Sequence, residues 1–129
     1  MLFRSMNKLN WIKIIAFSGM LCVVMGAFAA HSLEPILSVK AMSAMRTALL
    51  YQFLHTLALL GIIALPDNML DQRRQSLAAQ FMLVGMVLFS GSLYLLVVTG
   101  ITLLGMVTPI GGCALIIGWL LLFTAAKRS

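Results

Sequence analysis

Four long stretches of mainly apolar residues follow one another along the chain, separated by short polar segments. They cover residues 11–30, 41–65, 76–98 and 109–126, approximately. A helix needs about 20 such residues to cross the hydrocarbon core of a bilayer, which is about 30 Å thick. The pattern therefore predicts an all-α integral membrane protein, a four-transmembrane-helix bundle that forms a single domain over residues 1–129.

Polar residues and glycine at the borders of these stretches indicate where the helices begin and end. We expect Asn10 to cap the first helix and Thr108 to cap the fourth, with Pro109 as its first helical residue. If the third helix begins ahead of its apolar stretch, Asn68 is the residue that would cap it. Gly100 follows the third stretch, as a C-cap glycine does.

The composition agrees with a membrane protein, since 62% of the residues are hydrophobic, 9% are charged and the mean hydropathy is +1.07. A soluble domain carries about a quarter charged residues. The net charge of +6 does not indicate a nucleic-acid-binding face, because the lysines and arginines lie in short segments between the apolar stretches. We therefore predict the lipid bilayer and its anionic head groups as partners, and no nucleic acid.

The basic residues are distributed unequally between the two sides of the predicted bundle. The side that holds both termini carries seven of them: Arg4, Lys8, Lys13, Arg73, Arg74, Lys127 and Arg128. The opposite side carries Lys40 and Arg46. Because cytoplasmic loops carry the excess of Lys and Arg, both termini are predicted to be cytoplasmic, in a bacterial inner membrane that the chain crosses several times.

The segment MGAFAAHSLEP, residues 25–35, allows two interpretations of the first stretch. Ala27-Phe28-Ala29 has the small-residue pattern of a signal-peptide cleavage site, but the apolar core of a signal peptide is about 7–15 residues and this one is longer. It also carries a stripe of small residues four positions apart: Ser18, Cys22, Gly26 and Ala30. Such a stripe lets another helix approach closely, so we expect the first helix to be retained.

Several motifs resemble those of the YgdD family, small bacterial inner-membrane proteins with eukaryotic relatives that form a domain of unknown function. They are GAFAAH at 26–31, YQFLHTLAL at 51–59, LFSGSLYLLVVTG at 88–100, and TPIGG at 108–112 followed by GW at 118–119. One departure is Ala29, where the family usually has Gly. The resemblance spans nearly the whole chain and implies a four-helix membrane protein, but it implies no activity.

His55 is the main candidate for a functional side chain. It lies about 20 Å from the outer end of the second helix, near the bilayer centre, where an ionisable group is expected to face the bundle interior. Tyr51 lies one turn outward, and Ser90 and Tyr94 have the same spacing on the third helix. Together with two further polar residues they form the candidate cluster, His55, Tyr51, Ser90, Ser92, Tyr94 and His31.

Two roles are open for this cluster. In the first, His55 is neutral and hydrogen-bonded to a hydroxyl group such as that of Ser90 or Tyr94, because an unpaired polar group in hydrocarbon costs about 2–7 kcal/mol. In the second, His55 binds a ligand or transfers protons. His31 is expected at the membrane surface, paired with Glu34.

Small residues elsewhere predict helix packing. Gly111, Ala114 and Gly118 share one face of the fourth helix, and Gly91 and Gly85 have a similar role on the third. Cys22 and Cys113 lie in separate apolar stretches, and we expect both to be buried as small apolar residues.

No cofactor, metal site or catalytic residue is predicted. A haem between His31 and His55 is excluded because about a dozen residues of helix separate their depths. Two histidines and the distant Glu34 are too few ligands for a metal. The sequence shows no nucleophile with an adjacent base, no glycine-rich phosphate loop and no pair of carboxylates.

Three functions are compatible with these features. We expect a non-enzymatic bundle that works by association, as an accessory or assembly subunit of a larger membrane complex or as a homo-oligomer. The alternative is a permease or channel for a small solute or ion that uses the outer polar cluster, although the three acidic residues all lie between the apolar stretches. The third is a quinone-binding or redox-associated protein, with His55 and Tyr51 against the ring.

The predicted orientation can be measured with phosphatase fusions. Fusions after Ser38 and after Ile101 should be active in intact cells because these positions are predicted to lie outside, and a fusion after Gln72 should be inactive. Expression levels of the three fusions serve as the control. The opposite pattern of activity would contradict the orientation.

Overall fold

The computed structural model describes residues 7–126. Its long helices are α1 (Lys8–Phe28), α2 (Val39–Ala64), α3 (Gln72–Thr99) and α4 (Val107–Ala125). A π-helix, Ala29–Leu33, extends α1, and a 3-10 helix, Thr102–Met106, leads into α4. All four long helices are long and apolar enough to cross a membrane, which confirms the predicted class of all-helical membrane protein.

Each helix begins earlier than the apolar stretch that predicted it. Asn7, rather than Asn10, caps α1, and its side-chain oxygen accepts a hydrogen bond from the Asn10 backbone N–H at 3.0 Å. Asp71, rather than Asn68, caps α3 and accepts from the Arg74 N–H at 3.1 Å. The first turns of α1 and α3 are polar because they lie where a helix reaches the head groups, so hydropathy alone does not mark them.

The start of α4 also differs from the prediction, whereas the end of α3 agrees with it. Gly100 is the C-cap of α3 with φ of 71°, the left-handed conformation that favours glycine, as predicted. Thr108 is not an N-cap, because α4 already begins at Val107. The preceding 3-10 helix takes the place of a side-chain cap there.

The two ends of the bundle are defined by contacts between helix ends. The Lys8 ammonium lies 3.9 Å from the Asp67 carboxylate, which brings the start of α1 next to the end of α2. The Asp71 N–H donates to the Ala125 carbonyl at 2.8 Å, which joins the start of α3 to the end of α4. The helices therefore alternate in direction, and extensive backbone contacts in residues 7–126 link consecutive helices.

The basic residues divide between these ends as the sequence suggested, within the described residues. Lys8, Lys13, Arg73 and Arg74 lie at or near the end that holds the start of α1. Lys40 and Arg46 lie in the first turns of α2, at the opposite end. Arg4, Lys127 and Arg128, which the orientation prediction also uses, lie outside the described residues.

The buried face of α1 follows alternating steps of four and three residues. Its buried positions are Trp11, Ile15, Ser18 and Cys22, with Ala29 in the π-helix. In a helix of 3.6 residues per turn, each residue lies about 40° further around the helix axis than the residue four positions before it. The predicted stripe, with its spacing of four, therefore turns away from this buried face. Ser18 and Cys22 pack inside the chain, whereas a side chain at Gly26 would meet no atom within 4 Å and Ala30 is exposed.

Glycines allow the closest helix contact, between α3 and α4. A Cβ atom at Gly111 would lie 2.8 Å from the Phe89 Cα and still closer to its amide nitrogen, and one at Gly85 would lie 2.8 Å from the Leu115 nitrogen. A Cβ at Gly118 would meet Met82 at 3.1 Å. These glycines let the two backbones touch.

Two other predicted packing positions are less enclosed. Ala114 is half-buried on α4, whereas Gly111 and Gly118 on the same helix are buried. A Cβ atom at Gly91 would have no neighbour within 4 Å, so this glycine makes no close contact with another helix of the described residues.

We predict that Gly111→Ala destabilises the bundle because its methyl group has no room against the Phe89 backbone. The expected loss is about 1–3 kcal/mol of unfolding free energy, the usual range for overpacking. The matched control is Gly61→Ala, since a Cβ atom there meets nothing within 4 Å. Thermal unfolding of both variants in the same detergent is the measurement, and equal stability of the two would contradict the tight contact.

Candidate functional site

The structure separates the candidate cluster into four places. His55 bonds to Trp119 on α4, next to Tyr51, whose ring stacks on Phe89 of α3. Ser90 and Tyr94 bond to α2, and Ser92 bonds to α4. His31 lies exposed in the π-helix at the other end of the protein from the start of α1.

His55 is held by hydrogen bonds at both ring nitrogens. It is 5% exposed; its Nδ1 lies 2.8 Å from the Tyr51 carbonyl oxygen and its Nε2 lies 3.0 Å from the Trp119 indole nitrogen. A carbonyl only accepts and an indole N–H only donates, so these partners select the neutral tautomer with hydrogen on Nδ1. The expected bond from His55 to Ser90 or Tyr94 is not formed.

Aromatic rings surround this histidine. The Trp119 ring meets the imidazole edge-on, with centroids 5.8 Å apart. Tyr51 stacks on Phe89 with centroids 4.2 Å apart and lies 5.8 Å from the imidazole. The His55 ring is therefore fixed between α2 and α4 by hydrogen bonds and by its aromatic neighbours.

Trp119 was missed as the partner of His55, although a signal was present. The ends of α2 and α4 lie together, so depth can be counted back from Ala64 and from Ala125. At 1.5 Å per residue, His55 and Trp119 lie about 14 and 9 Å from those ends. The two side chains are therefore at similar depths on helices whose ends meet.

A second set of polar side chains, the central network, ties α1, α2 and α3 together. It consists of Ser18, Gln52, Thr56 and Tyr94. Tyr94 donates to the Gln52 side-chain oxygen at 2.6 Å, and the Gln52 amide donates to the Ser18 carbonyl and hydroxyl oxygens at 3.1 and 3.3 Å. The Ser18 and Thr56 hydroxyl groups lie 2.8 Å apart.

Gln52 is the centre of this network and was not predicted. It is 8% exposed and lies in the quoted motif YQFLHTLAL, three residues before His55. An amide in the middle of a transmembrane stretch needs partners as much as a histidine does, so its position was a usable signal.

Hydroxyl groups make two further contacts between helices. Ser90 is 2% exposed and donates to the Ala48 carbonyl at 2.8 Å, across the α2–α3 contact. The Ser92 and Thr108 hydroxyl groups lie 2.6 Å apart and join α3 to the start of α4. Thr108 therefore connects helices, where the sequence had suggested a cap.

The remaining candidates lie apart from these contacts. Glu34 pairs with Arg46 at 3.4 Å, both largely exposed, where the sequence had suggested His31 as its partner. Cys22 is buried as expected, whereas Cys113 is exposed on α4, so that part of the cysteine prediction is wrong. Within residues 7–126, no three His, Cys, Asp or Glu side chains group closely enough to hold a metal ion.

A cleft of about 260 Å³ lies between α1 and α3 and reaches the central network. Its polar lining consists of Ser18, Gln52, Ser90 and Tyr94, and apolar side chains form the rest. Phe17 and Val87 at its rim are more than half exposed, so the cleft opens onto the apolar surface of the bundle. In a membrane that surface faces the lipid chains.

Comparison with known proteins gives consistent matches. The sequence profile of a family described as "Protein of unknown function (DUF423)" matches residues 25–112. The chain is 43% identical over 124 residues to a UPF0382 membrane protein of Haemophilus influenzae, covering 95% of this chain and 97% of that protein. No solved structure matches at a significant level.

Two further relatives have more specific names. UPF0382 membrane protein YwdK of Bacillus subtilis is 40% identical over 118 residues, 92% of this chain and 96% of the relative. UPF0382 inner membrane protein YgdD of Escherichia coli K12 is 40% identical over 117 residues, 88% of this chain and 86% of the relative.

The bond between Trp119 and His55 can be measured with a double-mutant cycle. Trp119→Phe keeps the aromatic ring but leaves the His55 Nε2 without its donor, whereas the same change combined with His55→Leu leaves no unpaired atom there. The coupling energy from thermal or denaturant unfolding in detergent should be about 0.6–2 kcal/mol, the range for hydrogen bonds between membrane helices. Additive effects of the two substitutions would show that the bond does not form.

Proposed function

Because the chain belongs to the DUF423 (UPF0382) family of multi-pass membrane proteins, a family of unknown function, we propose its role from its own geometry. The resemblance to the YgdD family is confirmed, and the relatives and the four apolar helices indicate the inner membrane. The role that the geometry supports best is a non-enzymatic helix bundle that works by association with other membrane helices, in a larger complex or with copies of itself.

The open half of α1 is the observation that carries this proposal. Gly26 and Ala30 belong to a small-residue stripe, but no helix within residues 7–126 covers them. Val23 and Ala27 beside them are exposed as well. Small residues on a lipid-facing helix let a second backbone come close, which is the main source of attraction between helices in a bilayer.

The polar contacts support a structural role for the rest of the bundle. Among the described residues, every buried side-chain nitrogen and oxygen has a hydrogen-bond partner within the chain. The His55–Trp119 bond and the side-chain bonds of the central network run between helices and hold them in fixed positions. A bundle that is held in this way presents a constant outer surface to a partner.

The proposal includes the orientation of the chain. Four described basic residues lie at or near the end that holds the start of α1, Lys8, Lys13, Arg73 and Arg74, against Lys40 and Arg46 at the other. This excess supports a cytoplasmic position for both termini.

Association through α1 can be tested with one glycine and a matched control. Gly26→Leu should leave the fold intact, since its Cβ atom meets no neighbour within 4 Å, but should block the approach of a partner helix. The control is Gly61→Leu, which has equally open surroundings on α2. In mild detergent, the wild type and Gly61→Leu should run as a stoichiometric complex, and Gly26→Leu as a single chain.

Two results would contradict this role. One is a wild-type protein that is a single chain in every mild detergent and in nanodiscs. The other is a purified protein that moves a small solute or ion across liposome membranes at a rate that Gly26→Leu leaves unchanged.

A further inference from the structure

The cleft between α1 and α3 brings polar atoms to an apolar surface deep in the membrane. Ser18 lies ten residues from each end of α1, and Gln52 lies near the middle of α2. At 1.5 Å per residue, Ser18 is about 15 Å from either end of its helix. Because the Tyr94 hydroxyl is 2.6 Å from the Gln52 side chain, it lies at a similar depth.

The hydrogen-bond donors of this lining are already used. The Tyr94 hydroxyl donates to Gln52, and the Gln52 amide nitrogen donates to Ser18. Thr56 donates its hydrogen to the Gln52 carbonyl at 2.6 Å, so the Ser18 hydroxyl must donate to Thr56. Ser90 donates to a backbone carbonyl of α2 at 2.8 Å.

Acceptor positions remain free on the same oxygens. A hydroxyl oxygen carries two lone pairs and one hydrogen. The oxygens of Tyr94 and Ser90 each donate one bond and receive none from the described residues. Tyr94 is half-buried, whereas Ser90 is 2% exposed, so Tyr94 is the more accessible residue of the two. The cleft therefore suits a molecule that donates a hydrogen bond, and it offers little to a molecule that only accepts.

Depth and volume limit the kind of molecule further. Charged head groups stay near the membrane surface, about 15 Å from this point, so the ligand must be uncharged and mainly apolar. A volume of about 260 Å³ is smaller than the 300–1,000 Å³ typical of a drug-sized site. It accommodates one ring or a short length of chain, and the rest of the molecule can extend through the open side into the lipid.

We propose that this cleft binds an uncharged, lipid-soluble molecule through a hydroxyl group that donates a hydrogen bond to the Tyr94 oxygen. Two sources share this chemistry, a long-chain alcohol and the reduced, hydroxyl-bearing form of a lipid-soluble quinone. The site is separate from His55 and Tyr51, which do not line the cleft. It is also independent of the association proposed for α1.

The test uses the full chain in nanodiscs and a photoreactive long-chain alcohol, with its methyl ether as the paired probe. The alcohol should label α1 and α3 at the cleft, and the ether should label them about three- to thirtyfold less, the factor that one hydrogen bond within a membrane gives. Competition with a decyl-substituted benzoquinol or with an unlabelled fatty alcohol distinguishes the two sources. Equal labelling by alcohol and ether, or equal competition by benzoquinol and benzoquinone, would overturn the proposal.

Three variants connect the labelling to the cleft. Tyr94→Phe should reduce labelling by the alcohol to the level of the ether, whereas Tyr51→Phe, the matched control outside the cleft, should have no effect. Gly91→Leu should abolish labelling, because Gly91 lines the cleft and its Cβ position is free of neighbours, so the fold tolerates the larger side chain. Unchanged labelling in both Tyr94→Phe and Gly91→Leu would place the bound alcohol elsewhere and refute the site.

Discussion

The hydrocarbon core of a membrane supplies no hydrogen-bond partners, so each polar atom that this chain carries into it must find one within the protein. Backbone groups meet this requirement through the helices. Side chains meet it across helix contacts, where Gln52 joins Tyr94 to Ser18 and His55 accepts from Trp119. The same bonds that remove the cost of burial also determine which helices are neighbours. Polar residues therefore specify part of the arrangement of the bundle, together with the glycines that let α3 and α4 touch.

Features that depend on one segment alone could be predicted from the sequence, and features that depend on two segments mostly could not. Segment length and hydropathy predict four membrane-spanning helices, and the left-handed conformation at the end of α3 requires a residue such as Gly100. The partner of His55 depends instead on how α4 is rotated and how deep Trp119 lies. Depth along the helices makes Trp119 a candidate, but hydroxyl groups on α3 were equally suitable on chemical grounds, and the packed structure decides between them.

Register explains why part of the small-residue stripe on α1 packs inside and part does not. A straight helix has 3.6 residues per turn, so a face that stays against a neighbour must average fewer than four residues per step. The buried positions of α1 keep to that average, whereas steps of four carry Gly26 and Ala30 around to the lipid. The sequence contains the stripe, but the rotation of α1 against α2 decides how far along it the intramolecular contact extends.

Glycines of the described chain whose Cβ positions are open differ from the glycines between α3 and α4 in what they contribute. Gly85 and Gly111 are required by the backbones that touch them, and the fold itself accounts for their presence. Gly26 and Gly91 have no such neighbour, although glycine in the interior of a helix costs about 1 kcal/mol relative to alanine. Gly61 on α2 has equally open surroundings, so open space alone does not identify a contact surface. What sets the other two apart is that Gly26 belongs to the small-residue stripe and Gly91 lines the cleft. We propose that a second helix lies against Gly26 and that Gly91 leaves room for the molecule in the cleft.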